Sequence, residues 1–219
     1  MAKKKTISAQ TITDAYMAHV LTHNEKPKSV FAFAEANGMK EADFYQFYAS
    51  FEVLEKQIFQ SFFEHTHALL LKDDAYADFD AQNKLLSFYF TFFEILKANR
   101  SYVVFALKQN KNMLNGMKNL SLLRDSFKNY IEDLDIETLD LKQEFLENAK
   151  QRSLNELAWG QLLVTLKFWL DDESANFEKT DLFIEKSIHA SFDLLKTPPL
   201  ASLIDFGKFL FKEKIKPMM

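Results

Sequence analysis

Cysteine is absent from this sequence, and glycine and proline are scarce, with four residues of each. The absence of cysteine excludes disulfide frameworks, cysteine-based zinc sites and cysteine nucleophiles. Turns favour glycine and proline, so a chain with so few of them is poorly suited to an all-β fold, which needs many turns. The composition therefore predicts an all-α protein with long helices and few breaks.

Long hydrophobic runs are also missing. The longest apolar stretch covers residues 85–93, which is much shorter than the ~20 residues that a membrane-spanning helix needs. Lys3, Lys4 and Lys5 at the N-terminus are not followed by the apolar segment of a signal peptide. From these two absences we expect a cytoplasmic protein.

Arginine is rare, and the three arginines are Arg100, Arg124 and Arg152. The first 99 residues therefore contain none. Phenylalanine, by contrast, occurs 23 times, and hydrophobic residues make up 47% of the chain. Such a chain can bury a substantial core and is not expected to be disordered.

The pattern of apolar residues predicts a series of helices and one boundary between domains. The polar segment at residues 73–82 is the clearest boundary, and it divides the chain into domains 1–72 and 73–219. A further helix is predicted to start from a cap on Thr180 or Asp181 and to stop before Pro198. The other helices are predicted over residues 10–22, 30–37, 41–48, 51–72, 83–97, 102–108, 120–134, 141–170 and 201–214.

Three segments match, in order and spacing, the motifs I-A-x-x-A-G-V, L-Y-x-Y-F and S-K-x-x-L. They are residues 33–39 (FAEANGM), 44–48 (FYQFY) and 50–54 (SFEVL). With these motifs, the first 65 residues resemble the DNA-binding domain of the TetR family of transcriptional regulators. The resemblance implies an all-α, TetR-like fold with an N-terminal three-helix helix-turn-helix unit and a larger helical domain for ligand binding and dimerisation.

In the family, the third helix enters the major groove of DNA and its polar residues meet phosphates and base edges. The resemblance therefore implies double-stranded DNA as a partner. The residues of this chain that we expect to contact DNA are Lys28, Ser29, Lys40, Tyr45 and Gln46.

The charges of this domain depart from the family pattern. Glu41 and Asp43 stand where the family usually has small, hydroxyl or basic residues, and Phe51 replaces its lysine. Residues 6–72 hold five lysines and eight acidic residues, a net charge of −3, although phosphate neutralisation supplies most DNA affinity. Either the DNA target is unusual, or the unit no longer binds DNA.

A second, weaker resemblance covers residues 155–196 and concerns the last two long helices of the family. In the family these helices form a four-helix dimer interface, which implies a homodimer here. The alternative is that they are ordinary core helices of a monomer. The residues expected at the interface are Leu162, Trp169, Ile184, Ile188 and Phe192.

Aromatic residues are concentrated between residues 79 and 211. The family holds a small effector in this domain, and aromatic walls suit a hydrophobic molecule. The alternative interpretation of each residue is plain core packing. The residues predicted to line the pocket are Phe88, Phe92, Tyr102, Phe105, Phe127 and Trp159.

Catalytic and metal-binding patterns are not recognisable. His19 and His23 share a helical face, but no third ligand lies nearby in the sequence. Glycine-rich phosphate loops and nucleophile elbows are missing. We therefore expect no cofactor, no metal and no enzymatic activity.

Two functions remain open from the sequence. The first is a TetR-like DNA-binding regulator controlled by a hydrophobic small molecule. The second is a TetR-shaped lipid- or quinone-binding protein that has lost DNA binding. The predicted helix at residues 201–214 is apolar with lysines, which suits a membrane surface, but docking on its own domain is the preferred interpretation.

Overall fold

The computed structural model describes residues 7–108, 116–136 and 144–196. Helices dominate these ranges and no β-strand occurs in them, so the predicted all-α fold is confirmed. The lysines at positions 3–5 and the predicted helix at residues 201–214 lie outside the described residues. In the described part of the chain, no helix combines the length and hydrophobicity needed to cross a bilayer.

Four helices occupy the N-terminal part, and serine side chains cap three of them. Ser8, Ser29 and Ser50 each accept a backbone amide hydrogen from the first turn of the helix that follows. Serine favours this position, because its hydroxyl can accept an amide of the first turn that has no partner within the helix. The helices are α1 (Ala9–His23), α2 (Val30–Ala36), α3 (Glu41–Tyr45) and α4 (Phe51–Leu70).

Helix α3 is shorter than the predicted span of residues 41–48. The chain leaves the helix in a tight turn, in which the amides of Phe47 and Tyr48 both bond to the carbonyl of Phe44 at 3.0 Å. Before α3, Gly38 adopts a φ of +67°, a conformation that costs little only for glycine. The amide of Gly38 donates to the carbonyl of Glu35 at 3.1 Å, and the amide of Met39 donates to the carbonyl of Ala34 at 3.0 Å. The turn therefore provides hydrogen-bond donors for the last carbonyls of α2.

Five more helices follow in the described ranges. Short 3₁₀ turns lie at Asp74–Asp78, Lys118–Leu120 and Ala175–Phe177. The helices are α5 (Ala81–Ala98), α6 (Arg100–Lys108), α7 (Ser121–Asp133), α8 (Glu144–Asp171) and α9 (Glu178–Lys196).

The start of α9 corrects one prediction. The helix begins at Glu178, so neither Thr180 nor Asp181 is its cap. Thr180 is buried, and its amide and hydroxyl donate to the carboxylate of Asp172 at 2.9 and 2.7 Å. A threonine that serves as a buried donor looks the same in the sequence as one that caps a helix, because both precede an apolar stripe.

The described residues divide into two compact units. Unit 1 takes the residues up to Asp74 together with Thr91–Asn129, and unit 2 takes Ala75–Phe90 together with the residues from Tyr130 onward. The division therefore passes through α5. The domain boundary predicted after residue 72 stays a prediction.

Unit 1 is built around aromatic side chains. The ring of Phe51, at the start of α4, lies 5.3 Å from that of Tyr16, 5.5 Å from Phe33 and 5.2 Å from Phe44. Rings at these separations attract one another beyond the burial of their area. One aromatic cluster thereby joins α1, α2, α3 and α4.

Unit 2 is built on the packing of α8 against α9. Trp169, Ile184 and Ile188 are almost fully buried there. In the same unit, the ring of Phe88 in α5 stacks on the ring of Tyr130 in α7, with 4.8 Å between their centres. The hydroxyl of Tyr130 donates to the carbonyl of Lys84 at 3.0 Å, which satisfies a polar group inside an apolar core.

Candidate functional site

The five residues predicted to contact DNA are all exposed and lie at the ends of α2 and α3. Lys28 and Ser29 precede α2, and Lys40 precedes α3. Tyr45 closes α3 with its side chain 52% exposed, and Gln46 follows it. The hydroxyl of Ser29 accepts the amide of Ala32 at 3.1 Å, which leaves its proton available to an acceptor such as a phosphate oxygen. We call this exposed region the α2–α3 face.

The two acidic residues of α3 have structural roles. The carboxylate of Asp43 accepts the backbone amide of Lys40 at 2.9 Å. That of Glu41 accepts the hydroxyl of Tyr45 at 3.3 Å. Carboxylates in a first helical turn also interact favourably with the helix dipole. These contacts account for acidic residues in α3, but they leave negative charge on the α2–α3 face.

The same region exposes large aromatic side chains. Phe31, in the first turn of α2, is 60% exposed, and Phe47, just after α3, is 38% exposed. With Tyr45 they give the region three accessible rings. The α2–α3 face therefore presents aromatic rings beside its polar groups, and the cations on it are lysines.

Phe51 shows what replaced the family's lysine. Instead of reaching into solvent, its ring takes part in the cluster with Tyr16, Phe33 and Phe44. The position contributes to the core of unit 1 and presents no cation to solvent.

The sequence analysis missed one polar residue of unit 1, Glu55. Its side chain is 2% exposed, although it is charged. The hydroxyl of Tyr16 donates to it, and the Nζ of Lys26 lies 2.7 Å from each of its oxygens. A signal was available in the sequence, because Glu55 stands four residues after Phe51 and four before Phe59, on the apolar stripe of α4.

The six residues predicted to line a ligand pocket are all buried, none more than 8% exposed. Phe92, Tyr102, Phe105 and Phe127 belong to unit 1, whereas Phe88 and Trp159 belong to unit 2. Their observed neighbours include core aromatics, such as Phe59 for Tyr102 at 6.2 Å. Among the described residues, the buried hydroxyl of Tyr102 has no hydrogen-bond partner. Their role in binding a ligand stays a prediction.

A groove of about 460 Å³ lies elsewhere, on the surface of α8 and α9. The rings of Phe168 and Phe183 stack in it at 4.6 Å with an angle of 12° between their planes. Its floor is apolar and two lysines flank it. The lining residues are Phe168, Lys179, Leu182, Phe183, Lys186 and Ser187.

The five residues predicted at a dimer interface lie inside the protomer. Leu162, Trp169, Ile184, Ile188 and Phe192 are at most 6% exposed. A buried side chain has little surface left for a partner, and the role of these five residues at an interface stays a prediction. Different apolar residues of the same two helices are exposed: Leu157 (71%), Val164 (58%) and Leu182 (49%).

Polar clusters give no sign of a metal centre. Among the side chains that the structure describes, no three His, Asp or Glu residues gather in a way that could hold a metal ion. His19 and His23 stack on each other at 4.3 Å. The Nδ1 of His23 and the carbonyl of His19 lie 2.9 Å apart, which occupies one ring nitrogen.

Comparison with known families identifies the second half of the chain. A sequence model of the tetracyclin repressor-like C-terminal domain matches residues 84–210. This match covers more than half of the chain and includes α6 to α9. No curated protein is significantly similar to the chain. Together with the all-α structure, the match confirms the predicted TetR-like fold, and the chain belongs to the TetR family.

Proposed function

We propose that this protein is a TetR-type transcriptional regulator that binds double-stranded DNA as a homodimer and responds to a hydrophobic small molecule. The observation that carries the proposal is the α2–α3 face. Two short helices joined by a tight turn at Gly38 present Lys28, Lys40, Tyr45 and Gln46 to solvent. This set supplies two cations for phosphates and two polar groups for hydrogen bonds.

Single lysine variants test the role of the α2–α3 face on a DNA fragment that the wild type binds. Lys28→Ala and Lys40→Ala should each weaken binding to all sequences alike. Each should also reduce the slope of log affinity against log salt by about one for every half-site. Lys72→Ala is the matched control, since Lys72 is exposed beyond the end of α4. Equal effects of all three variants would mean that charge alone attracts DNA and that the α2–α3 face is not the binding site.

A homodimer follows from the geometry that DNA imposes. Two copies of a helix-turn-helix unit bind half-sites about one helical turn apart. The exposed apolar residues of α8 and α9 offer a surface that a second copy can cover, and the groove beside Phe168 and Phe183 extends it. We propose that Leu157, Val164 and Leu182 lie at this interface.

A hydrophobic effector is proposed from the family and from the buried aromatic residues. Aromatic walls bind flat or lipid-like molecules, and a polar atom inside them orients the ligand. Tyr102 supplies such an atom. Extraction of the purified protein with organic solvent, followed by mass spectrometry, tests for a bound apolar molecule. An added ligand at 100 times its Kd should stabilise the protein by about 2.7 kcal/mol.

The second candidate is a lipid- or quinone-binding protein without DNA binding. The observation in its favour is the α2–α3 face itself, where Phe31 is the most exposed aromatic residue and Glu41 and Asp43 add negative charge. This candidate would be favoured if a lipid co-purifies with the protein and the protein does not bind DNA even at low salt. A protein that binds both would favour the regulator.

A further inference from the structure

The groove on α8 and α9 combines an apolar floor with positive charge. Its volume of about 460 Å³ falls within the range of roughly 300–1,000 Å³ that is typical of sites for small molecules. The rings of Phe168 and Phe183 stack in it, with 4.6 Å between their centres and 12° between their planes. Both side chains are only partly buried, so each ring has area left to contact a ligand.

Two lysines stand at the ends of this floor. Lys179, Leu182, Phe183 and Lys186 lie on one face of α9, at the spacing i, i+3, i+4 and i+7. With a rise of ~1.5 Å per residue, the two lysines leave the helix ~10 Å apart. Both lysines are exposed. Within the described part of the chain, neither ammonium group forms an ion pair.

We propose that this groove binds an anionic amphiphile of the fatty-acid class. Its alkyl chain covers the stacked rings of Phe168 and Phe183, and its carboxylate pairs with Lys179 or Lys186. Burial of the apolar floor supplies affinity, and the lysines select the negative head group. The groove lies on the surface of unit 2, away from the buried aromatic residues considered for an effector, and binding there does not depend on DNA.

A second copy of the chain fits the groove less well, although the groove adjoins the surface proposed for the dimer. A two-fold contact brings the same patch of both copies together. The described lining residues include two lysines and no acidic residue, so the groove of a second copy brings only like charge. Leu157 and Val164 remain exposed for the dimer.

Calorimetric titration of the full chain with sodium decanoate tests the proposal. Decyltrimethylammonium, a cation with an alkyl chain of the same length, is the matched probe. We expect decanoate to bind and the cation to bind much more weakly, because the lysines repel it. Affinity should rise from octanoate to decanoate by at most about fourfold for each added CH₂ group, since the groove is open to solvent on one side.

Charge reversal locates the binding site. Lys179→Glu combined with Lys186→Glu should weaken decanoate binding by about fivefold to tenfold, because two attractive contacts become repulsive. The control combines Lys72→Glu with Lys118→Glu, which changes the net charge equally at two exposed lysines of unit 1 and should leave the affinity almost unchanged. Leu182 belongs to both proposed surfaces and is left unaltered.

Three results would overturn the proposal. They are the absence of decanoate binding, equal binding of decanoate and the cation, and a decanoate affinity that the reversal of Lys179 and Lys186 does not change. The last result would place the ligand elsewhere, for example among the buried aromatic residues. None of these results bears on DNA binding, so failure here and failure of the proposed regulator are distinguishable.

Discussion

The buried side chain of Asp172 fixes the connection between α8 and α9 through four hydrogen bonds. Its carboxylate accepts the amide and hydroxyl of Ser174 at 2.8 and 2.6 Å and those of Thr180 at 2.9 and 2.7 Å. Burial alone would raise its pKa, but the hydrogen bonds from Ser174 and Thr180 outweigh burial and lower the pKa from 3.8 to about 2. The charged form is therefore the one that joins α8 to α9.

Replacing this carboxylate should destabilise the protein in a way that depends on pH. At pH 7, Asp172→Asn should lower the free energy of unfolding by about 1–3 kcal/mol, because an amide cannot accept all four bonds. A depressed pKa gives stability that is complete above the unfolded value of 3.8 and disappears as the pH falls toward 2. Urea unfolding of both proteins at a series of pH values measures the difference.

Asp171→Asn is the control for this prediction. Asp171 is about half exposed and pairs with Lys167 one turn earlier, and such surface pairs contribute little. Its loss should change stability by less than about 1 kcal/mol. Equal losses for the two variants, or a loss at Asp172 that is the same at pH 3 and pH 7, would contradict the role assigned to the charged carboxylate.

At the residue scale, the sequence predicts where a residue has a special backbone conformation or caps a helix better than it predicts which polar residues are buried. Gly38 and the caps at Ser29 and Ser50 follow from local conformational preferences, which neighbours in the chain determine. The sequence does not reveal the roles of Glu55 and Thr180, because their partners lie far along the chain or across a turn. A charged residue on an apolar stripe is the one local sign that such a partner exists.

At the scale of elements, local patterns located the helices but not their orientation. The long helix α8 carries two apolar faces, one with Leu162 and Trp169 and the other with Leu157 and Val164. The sequence does not distinguish which of them packs on the protomer. The structure assigns the first to the interior and the second to the surface, since α9 covers only one side.

The turn between α2 and α3 allows a prediction about an element boundary. Gly38 has a positive φ, and a Cβ added there would meet no atom within 4 Å, so any cost of substitution comes from the backbone. Gly38→Ala should destabilise the protein by roughly 1–2 kcal/mol. Gly38→Asn should cost less, because asparagine tolerates this conformation.

Thermal or chemical unfolding of the two Gly38 variants supplies the comparison. An alanine variant as stable as the wild type would mean that the turn adopts another conformation in solution. The ranking of alanine and asparagine separates backbone strain from a general loss of flexibility, which would affect both alike.

At the scale of the whole molecule, the proposed dimer follows from exposed apolar area. The double variant Leu157→Glu with Val164→Glu should convert the dimer into a monomer, because two buried carboxylates without partners oppose association. Analytical ultracentrifugation measures the change. Leu21→Glu is the control, since Leu21 is 47% exposed on α1 and lies in the other unit.

Two results would contradict this interface. One is a wild type that sediments as a monomer at high concentration, and the other is a double variant that stays dimeric. Because both substituted residues are exposed in the protomer, folding should survive the change, and circular dichroism checks that it does.

The parts of the candidate site that depend on short sequence motifs could be predicted, and the parts that depend on long-range packing could not. The motifs place Lys40 just before a short helix and Tyr45 on its surface, since the motif itself fixes the turn and the core positions around them. Ligand contacts were not predictable in the same way. Aromatic residues such as Phe88 and Phe127 serve a core and a pocket equally well, and only long-range packing decides between them.

The central claim is that the α2–α3 face binds DNA despite its acidic residues. The most direct test measures the affinity of the wild type for genomic DNA fragments over a series of salt concentrations. Two copies of Lys28 and Lys40 in a dimer predict a specific fragment whose log affinity falls with log salt at a slope of about −3.6 or steeper. Absence of binding at the lowest salt concentration would contradict the claim and leave the face with a structural role only.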